Sequence, residues 1–135
     1  ARLRAALTGL FLLRPALADV VPAVLARLTD MRLEPAGREL MARYMAAVYL
    51  QNLWRTRLKS YLGSFPDLPD LYSTKLELPA ARQGFGKPGL YALAEWHQQK
   101  TGVPYNRLAE YTGVLEQILS GLKLKKRAHE LAAIG

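Results

Sequence analysis

Cysteine is absent from this sequence, and histidine occurs only at positions 97 and 129. The lack of thiols excludes disulfide bonds, thiol catalysis and cysteine-ligated metals. His97 and His129 have no second ligand at metal spacing, so we expect surface or core residues and neither a metal nor a cofactor. Asp67 and Asp70 flank a proline, and we predict that they form turns and do not bind a metal.

Catalytic motifs are missing as well. No serine lies in a Gly-x-Ser-x-Gly nucleophile motif. The pair Gly86-Lys87 lacks both the preceding glycine spacing and the following Ser or Thr of a phosphate-binding P-loop. We therefore predict that the protein is not an enzyme and has no small-molecule substrate.

Acidic residues are few. Nineteen Lys and Arg oppose eleven Asp and Glu, which leaves a formal net charge of +8. Such an excess favours polyanionic partners, nucleic acid first among them, although it also serves solubility alone. Half of the residues are hydrophobic, which is enough for a real core, and we predict one all-helical domain over residues 1–135.

The N-terminal apolar run, residues 5–13, is too short to span a bilayer. It follows Arg2 and Arg4 and precedes several small residues, a layout that resembles a secretory signal peptide. Arg14 interrupts that layout, and we interpret the run as part of a core helix. We expect a soluble, cytoplasmic protein that does not bind membranes.

Residues 39–62 contain neither Pro nor Gly and are rich in the helix formers Leu, Met, Ala and Arg. On a helical wheel, the first two-thirds of this stretch is apolar nearly all the way round, so other helices must pack around it. We predict a long central helix in an all-α bundle of five to seven helices. Some of its apolar residues should stay uncovered in the monomer and be buried by a partner subunit. The candidates are Tyr49, Leu50 and Leu53.

The flanking segments divide into helices and one long connection. Periodicity predicts a first helix over residues 2–13 and a second one from Pro15 that Pro22 kinks or splits. Residues 34–37 are predicted as a connector into the central helix. Residues 63–88 hold four prolines and three glycines and predict an irregular connection. The weak alternation over 71–78 suggests a short strand or an extended segment there.

Residues 108–122 resemble the helix-turn-helix unit of bacterial repressors, which implies a DNA-binding motif over 104–122. The match consists of a small residue, a turn glycine and two apolar anchors: Ala109, Gly113, Leu119 and Leu122. A recognition helix normally begins with polar or basic side chains that reach base edges. The corresponding residues here are Leu115, Glu116 and Gln117. The alternative is a helix or helical hairpin that bends at Gly113.

The cations cluster in two segments and one loop, and phosphate-backbone contacts need no sequence motif. We therefore predict that these clusters bind DNA or RNA. The predicted nucleic-acid-binding residues are Arg55, Arg57, Lys59, Arg82, Lys87, Lys123, Lys125, Lys126 and Arg127. In the last run we expect Leu122 and Leu124 to pack into the core while the lysines point outward.

Two classes of function remain open besides the helix-turn-helix alternative. The first is a non-catalytic nucleic-acid-binding protein that is a small subunit of a larger nucleoprotein complex with other protein subunits. In size, helicity and charge the chain is similar in kind to the small helical subunit of CRISPR Cascade-type effectors. The second is a helical protein–protein adaptor with no role in nucleic-acid binding.

Overall fold

The computed structural model describes residues 2–63, 66–101 and 108–134. These residues form six α-helices and no strand, which confirms the predicted all-α bundle and shows that the strand predicted over 71–78 is wrong. The helices are α1 (Arg2–Leu13), α2 (Val21–Asp30), α3 (Glu34–Leu53), α4 (Arg55–Leu62), α5 (Lys87–Thr101) and α6 (Leu108–Ile134). Short 3₁₀ segments occupy Pro15–Val20 and Gln83–Gly86.

Helix α3 is the centre of the fold. Every residue from Met41 to Gln51 is buried, and α1, α2, α5 and α6 all contact α3. A helix that is apolar nearly all round requires such cover, as the sequence predicted. Tyr49 and Leu50 are completely buried within the monomer, and Leu53 packs partly buried against the core. Of the three residues among which uncovered ones were predicted, Tyr49 and Leu50 are therefore fully covered, and Leu53 alone is partly exposed.

The central helix begins earlier than predicted and is interrupted. Residues 34–37 belong to α3 and are not a connector, because Pro35 fits the first turn of a helix, where its missing N–H is not needed. Gly37 lies close to α2, where an added Cβ would be 3.2 Å from Cδ1 of Leu25. At the other end, Trp54 leaves the helical region (φ −112°, ψ 21°) and separates α3 from α4.

The N-terminal helices follow the proline pattern. Residues 15–20 form a 3₁₀ segment that begins with Pro15, and Pro22 lies in the first turn of α2, so the predicted split is confirmed. Phe11, Leu12 and Val21 are buried in the core. Within the described ranges, no helix by itself has the length and hydropathy of a membrane span. Among the described helices, residues 7–13 and 15–30 taken together have that length and hydropathy, but the two segments are bent by 116° relative to each other.

The long connection forms a packed layer over α3. Polar side chains of α3 form hydrogen bonds with the backbone of this connection. Tyr44 Oη donates to the carbonyl of Pro69 (2.5 Å), and Tyr49 Oη donates to the carbonyl of Pro79 (2.8 Å). Burial raises the pKa of both tyrosines, so their hydroxyls remain protonated donors. Gln51 accepts the N–H of Leu68 (2.7 Å). Four apolar side chains of this layer are buried in the core, namely Leu68, Tyr72, Leu76 and Ala81.

The two aspartates of this layer have different roles. Asp70 accepts the N–H and hydroxyl of Ser73 (3.1 and 2.7 Å) and the N–H of Ala81 (2.9 Å), so it closes a turn as predicted. Asp67 instead forms ion pairs with two arginines. A carboxylate that accepts local backbone N–H groups stabilises an irregular segment that has no ladder of its own.

Helix α6 passes through Gly113 without a turn. The predicted helix-turn-helix places a turn at this glycine, and the prediction of that turn is wrong. Residues 104–107 of the predicted motif lie outside the described residues. Leu124 is 68 % exposed, so the expectation that it packs into the core is also wrong. Residues 122 and 124 point about 200° apart on a helix, so they cannot share one buried face.

Candidate nucleic-acid interface

Helix α4 carries cations on both sides of one buried leucine. Leu58 is 1 % exposed and anchors the helix to the core. At about 100° per residue, Arg57 and Tyr61 fall on one flank of Leu58, and Arg55 and Lys59 fall on the other. The predicted run of three cations is therefore divided between two surfaces.

The Arg57 flank faces α6 across a groove of about 650 Å³. We call this cavity the α4–α6 groove. It is lined by Arg57, Ser60, Tyr61, Glu116, Leu119, Ser120 and Lys123. At its edge, the ammonium nitrogen of Lys126 lies 5.7 Å from the ring centroid of Tyr61. Two basic segments that are distant in the sequence thus meet around a single tyrosine.

The charge balance of the α4–α6 groove is positive. Arg57, Lys123 and Lys126 contribute three cations and Glu116 one carboxylate, which leaves a net charge of +2. None of the three cations forms an ion pair with another described residue. Arg57 instead stacks on Trp54, with its guanidinium carbon 4.4 Å from the indole centroid. Such stacking holds the side chain in place and leaves its N–H groups available for an anion.

The remaining cations of α6 lie beyond the groove. Lys125 and Arg127 are exposed, and Lys125 points about 200° away from Lys123. The structure therefore brings two of the four predicted α6 cations to the groove and directs Lys125 elsewhere.

The other flank of α4 forms a second, partly neutralised cluster. Asp67 binds Arg55 through Oδ1 (2.5 Å) and Arg82 through Oδ2 (2.8 Å). Lys59 is exposed, and the ammonium of Lys87 lies 5.9 Å from the ring centroid of Tyr91. A phosphate at this cluster must compete with Asp67, so these arginines are weaker anion ligands than the groove cations.

A buried polar network, which sequence reasoning missed, fixes α6 to the core. Arg43 Nε donates to Glu39 Oε1 (2.8 Å), and His97 Nε2 lies 3.5 Å from Glu39 Oε2. The other ring nitrogen of His97 shares a hydrogen bond with the hydroxyl of Tyr111. Arg43, His97 and Tyr111 are each 0 % exposed. This network joins α3, α5 and α6 and so holds the helix that carries Lys123 and Lys126.

The carboxylate of Glu39 is strongly stabilised in its charged form. Burial by itself raises the pKa of this group, but hydrogen bonds with His97 and Arg43 and the charge of Arg43 outweigh that effect and lower the pKa to about 2. Perturbed carboxylates are frequent at functional sites. Here the partners are buried, so the arrangement is that of a structural ion pair and not of an open catalytic centre.

The sequence did contain one signal for this network. Glu39 and Arg43 are spaced i, i+4 on a helix whose other central residues are almost all apolar. Charged residues are rarely buried unless they are paired, so this spacing points to an internal ion pair. The prediction that His97 is a core or surface residue is confirmed, because its side chain is fully buried.

A scan against protein-family models and searches of curated proteins and of solved structures found no match to this chain.

Proposed function

We propose that this protein binds the phosphate backbone of nucleic acid in the α4–α6 groove, without catalysis, as a subunit of a larger nucleoprotein complex. The observation that carries the proposal is the convergence of Arg57, Lys123 and Lys126 around Tyr61. Cations from distant parts of a sequence that share one groove favour a polyanion over scattered charge for solubility.

The state of these cations supports the proposal. A phosphate that enters the α4–α6 groove breaks no ion pair, since the three cations have no carboxylate partner among the described residues. Each contact releases counterions from the nucleic acid, which is a favourable term at low salt. The hydroxyls of Ser60 and Ser120, which line the same groove, are donors of the kind that commonly bind phosphate oxygens.

The proposed binding does not read the base sequence. Contacts to phosphate and sugar position a protein but carry no sequence information. The turn that a recognition helix would require at Gly113 is not formed. We therefore expect similar affinities for different mixed sequences.

Two single substitutions on α6 test the proposal against a matched control. Lys123→Gln removes a groove cation, and Lys125→Gln removes an equal charge from the same helix on a different side. We expect Lys123→Gln to weaken binding to mixed-sequence DNA and RNA several-fold at low salt, and Lys125→Gln to change it less than twofold. Fluorescence anisotropy with labelled oligonucleotides measures both. Equal effects of the two variants, or no binding by the wild-type chain, would sink the proposal.

A protein–protein adaptor is the second candidate, and the end of α6 favours it. Every described side chain from Lys123 to Ala133 is exposed. Leu124 and Leu131, at 68 % and 63 % exposure, lie seven residues apart on nearly the same side of the helix. An exposed apolar stripe of this kind fits a second helix. If Lys123→Gln has no effect on nucleic-acid binding while Leu124→Lys abolishes assembly with a partner, the adaptor is the better account.

A further inference from the structure

Phe85 is the most exposed large hydrophobic residue in the described part of the chain, at 79 %. It lies in the 3₁₀ segment Gln83–Gly86, directly before α5. Arg82 precedes it by three residues; its side chain is 78 % exposed and pairs with Asp67 through one guanidinium nitrogen (2.8 Å), so a phosphate at Arg82 must compete with that carboxylate. The exposed Lys87 follows Phe85 by two residues. The segment therefore presents one aromatic ring between two cations.

The backbone of this segment is left-handed over three consecutive residues, with φ values of 54° at Gly84, 59° at Phe85 and 82° at Gly86. The two glycines adopt such values without steric cost, but a bulky residue does not. Packing in the core would offset that steric cost for a buried side chain, but Phe85 is largely exposed and gains little from packing. A strained residue whose side chain is not used in the core is a candidate for a role in binding.

The surrounding structure holds the segment in this conformation. A Cβ added to Gly86 would lie 2.5 Å from the backbone oxygen of Tyr49, and one added to Gly84 would lie 2.9 Å from the ring of Pro88. The segment is thus wedged between α3 and the first turn of α5. Phe85 is presented on a support of fixed shape, which reduces the entropy that a ligand must overcome on binding.

We propose that Phe85 stacks on an unpaired base of a single-stranded nucleic acid while Arg82 and Lys87 contact the phosphates on either side. This inference rests on the proposed function and adds a preference for single strands. Aromatic rings beside cations are the common arrangement of single-strand sites, since every base has a face on which a ring can stack. The bases of a duplex are already stacked and offer no such face to an exposed phenyl ring.

The test compares single-stranded and duplex DNA of the same mixed sequence. We expect Phe85→Ala to weaken single-strand binding by about 5- to 100-fold and duplex binding by less than about twofold, whereas Phe85→Tyr retains single-strand binding. Leu71→Ala, which removes another exposed apolar side chain from the same connection, should change neither affinity. Phe85→Gly separates strain from recognition: glycine relieves the backbone, so the urea midpoint rises while single-strand binding is lost.

The outcomes distinguish this inference from the function on which it rests. Unchanged single-strand affinity in Phe85→Ala, together with weaker binding in Lys123→Gln, overturns the stacking role and leaves the groove intact. An equal loss for both DNA forms in Phe85→Ala also overturns it. If the wild-type chain binds neither form, the proposed function fails and the stacking role fails with it. Cross-linking of an iodouracil-containing strand to Phe85 would be direct support.

Discussion

Replacement of Glu39 by Gln removes a carboxylate partner of the buried Arg43 while keeping the size of the side chain. The pKa of Glu39 falls from 4.5 to about 2 on folding, and each pKa unit corresponds to about 1.4 kcal/mol. Glu39 is 14 % exposed, so screening by solvent is small. We expect Glu39→Gln to lower the free energy of unfolding by roughly 3 kcal/mol near neutral pH.

The pH dependence gives this prediction a second, independent readout. Because the folded pKa of Glu39 lies below the unfolded one, its stabilisation is complete above the unfolded pKa and is lost as the pH falls towards 2. The difference between wild type and variant should therefore shrink to about half near pH 3. Urea denaturation followed by circular dichroism, at neutral pH and near pH 3, measures both values.

Glu95→Gln is the matched control, since it removes the same charge from an exposed position on α5. Surface substitutions of this kind change stability by less than about 0.5 kcal/mol. A Glu39→Gln variant as stable as Glu95→Gln, or one whose loss of stability does not depend on pH, would refute the buried network.

Two further substitutions and one truncation test the fold. Gly86→Ala should destabilise the protein by at least about 2 kcal/mol, because its Cβ would lie 2.5 Å from the Tyr49 oxygen at a φ of 82°. Gly113→Ala should stabilise it by about 0.5–1 kcal/mol, because this glycine is helical with nothing within 4 Å of an added Cβ; destabilisation there would indicate a turn. A chain that ends at Arg127 should lose less than about 1 kcal/mol, because residues 128–133 are exposed. Thermal unfolding measures all three.

Helix positions and the central helix followed from the sequence because they depend on local signals. Apolar periodicity and the first-turn prolines are properties of neighbouring residues, so α1, the split at Pro22 and the buried centre of α3 were predictable. The break at Trp54 was not, since neither Pro nor Gly marks it.

The candidate site was predictable only in part. The basic segments were visible, but the meeting of Tyr61 with Lys126 is a tertiary contact between residues far apart in the chain. The burial of Tyr49 within the monomer was not predicted for the same reason. Its hydroxyl donates to the carbonyl of Pro79, thirty residues away, in the connection that covers it. Leu124 was predicted to be buried because apolar and polar residues alternate around it, and such alternation places every second residue on one face of a strand. On a helix, residues two apart point about 200° from each other, so Leu124 points outward.

The salt dependence of nucleic-acid binding tests the central claim most directly. If Arg57, Lys123 and Lys126 each neutralise a phosphate, the logarithm of the association constant should fall with the logarithm of salt concentration with a slope of about −2 or steeper. Lys123→Gln should reduce that slope by roughly 0.7–0.9, and Lys125→Gln should leave it unchanged. A slope near zero, or a slope that Lys123→Gln does not alter, would contradict phosphate binding in the α4–α6 groove.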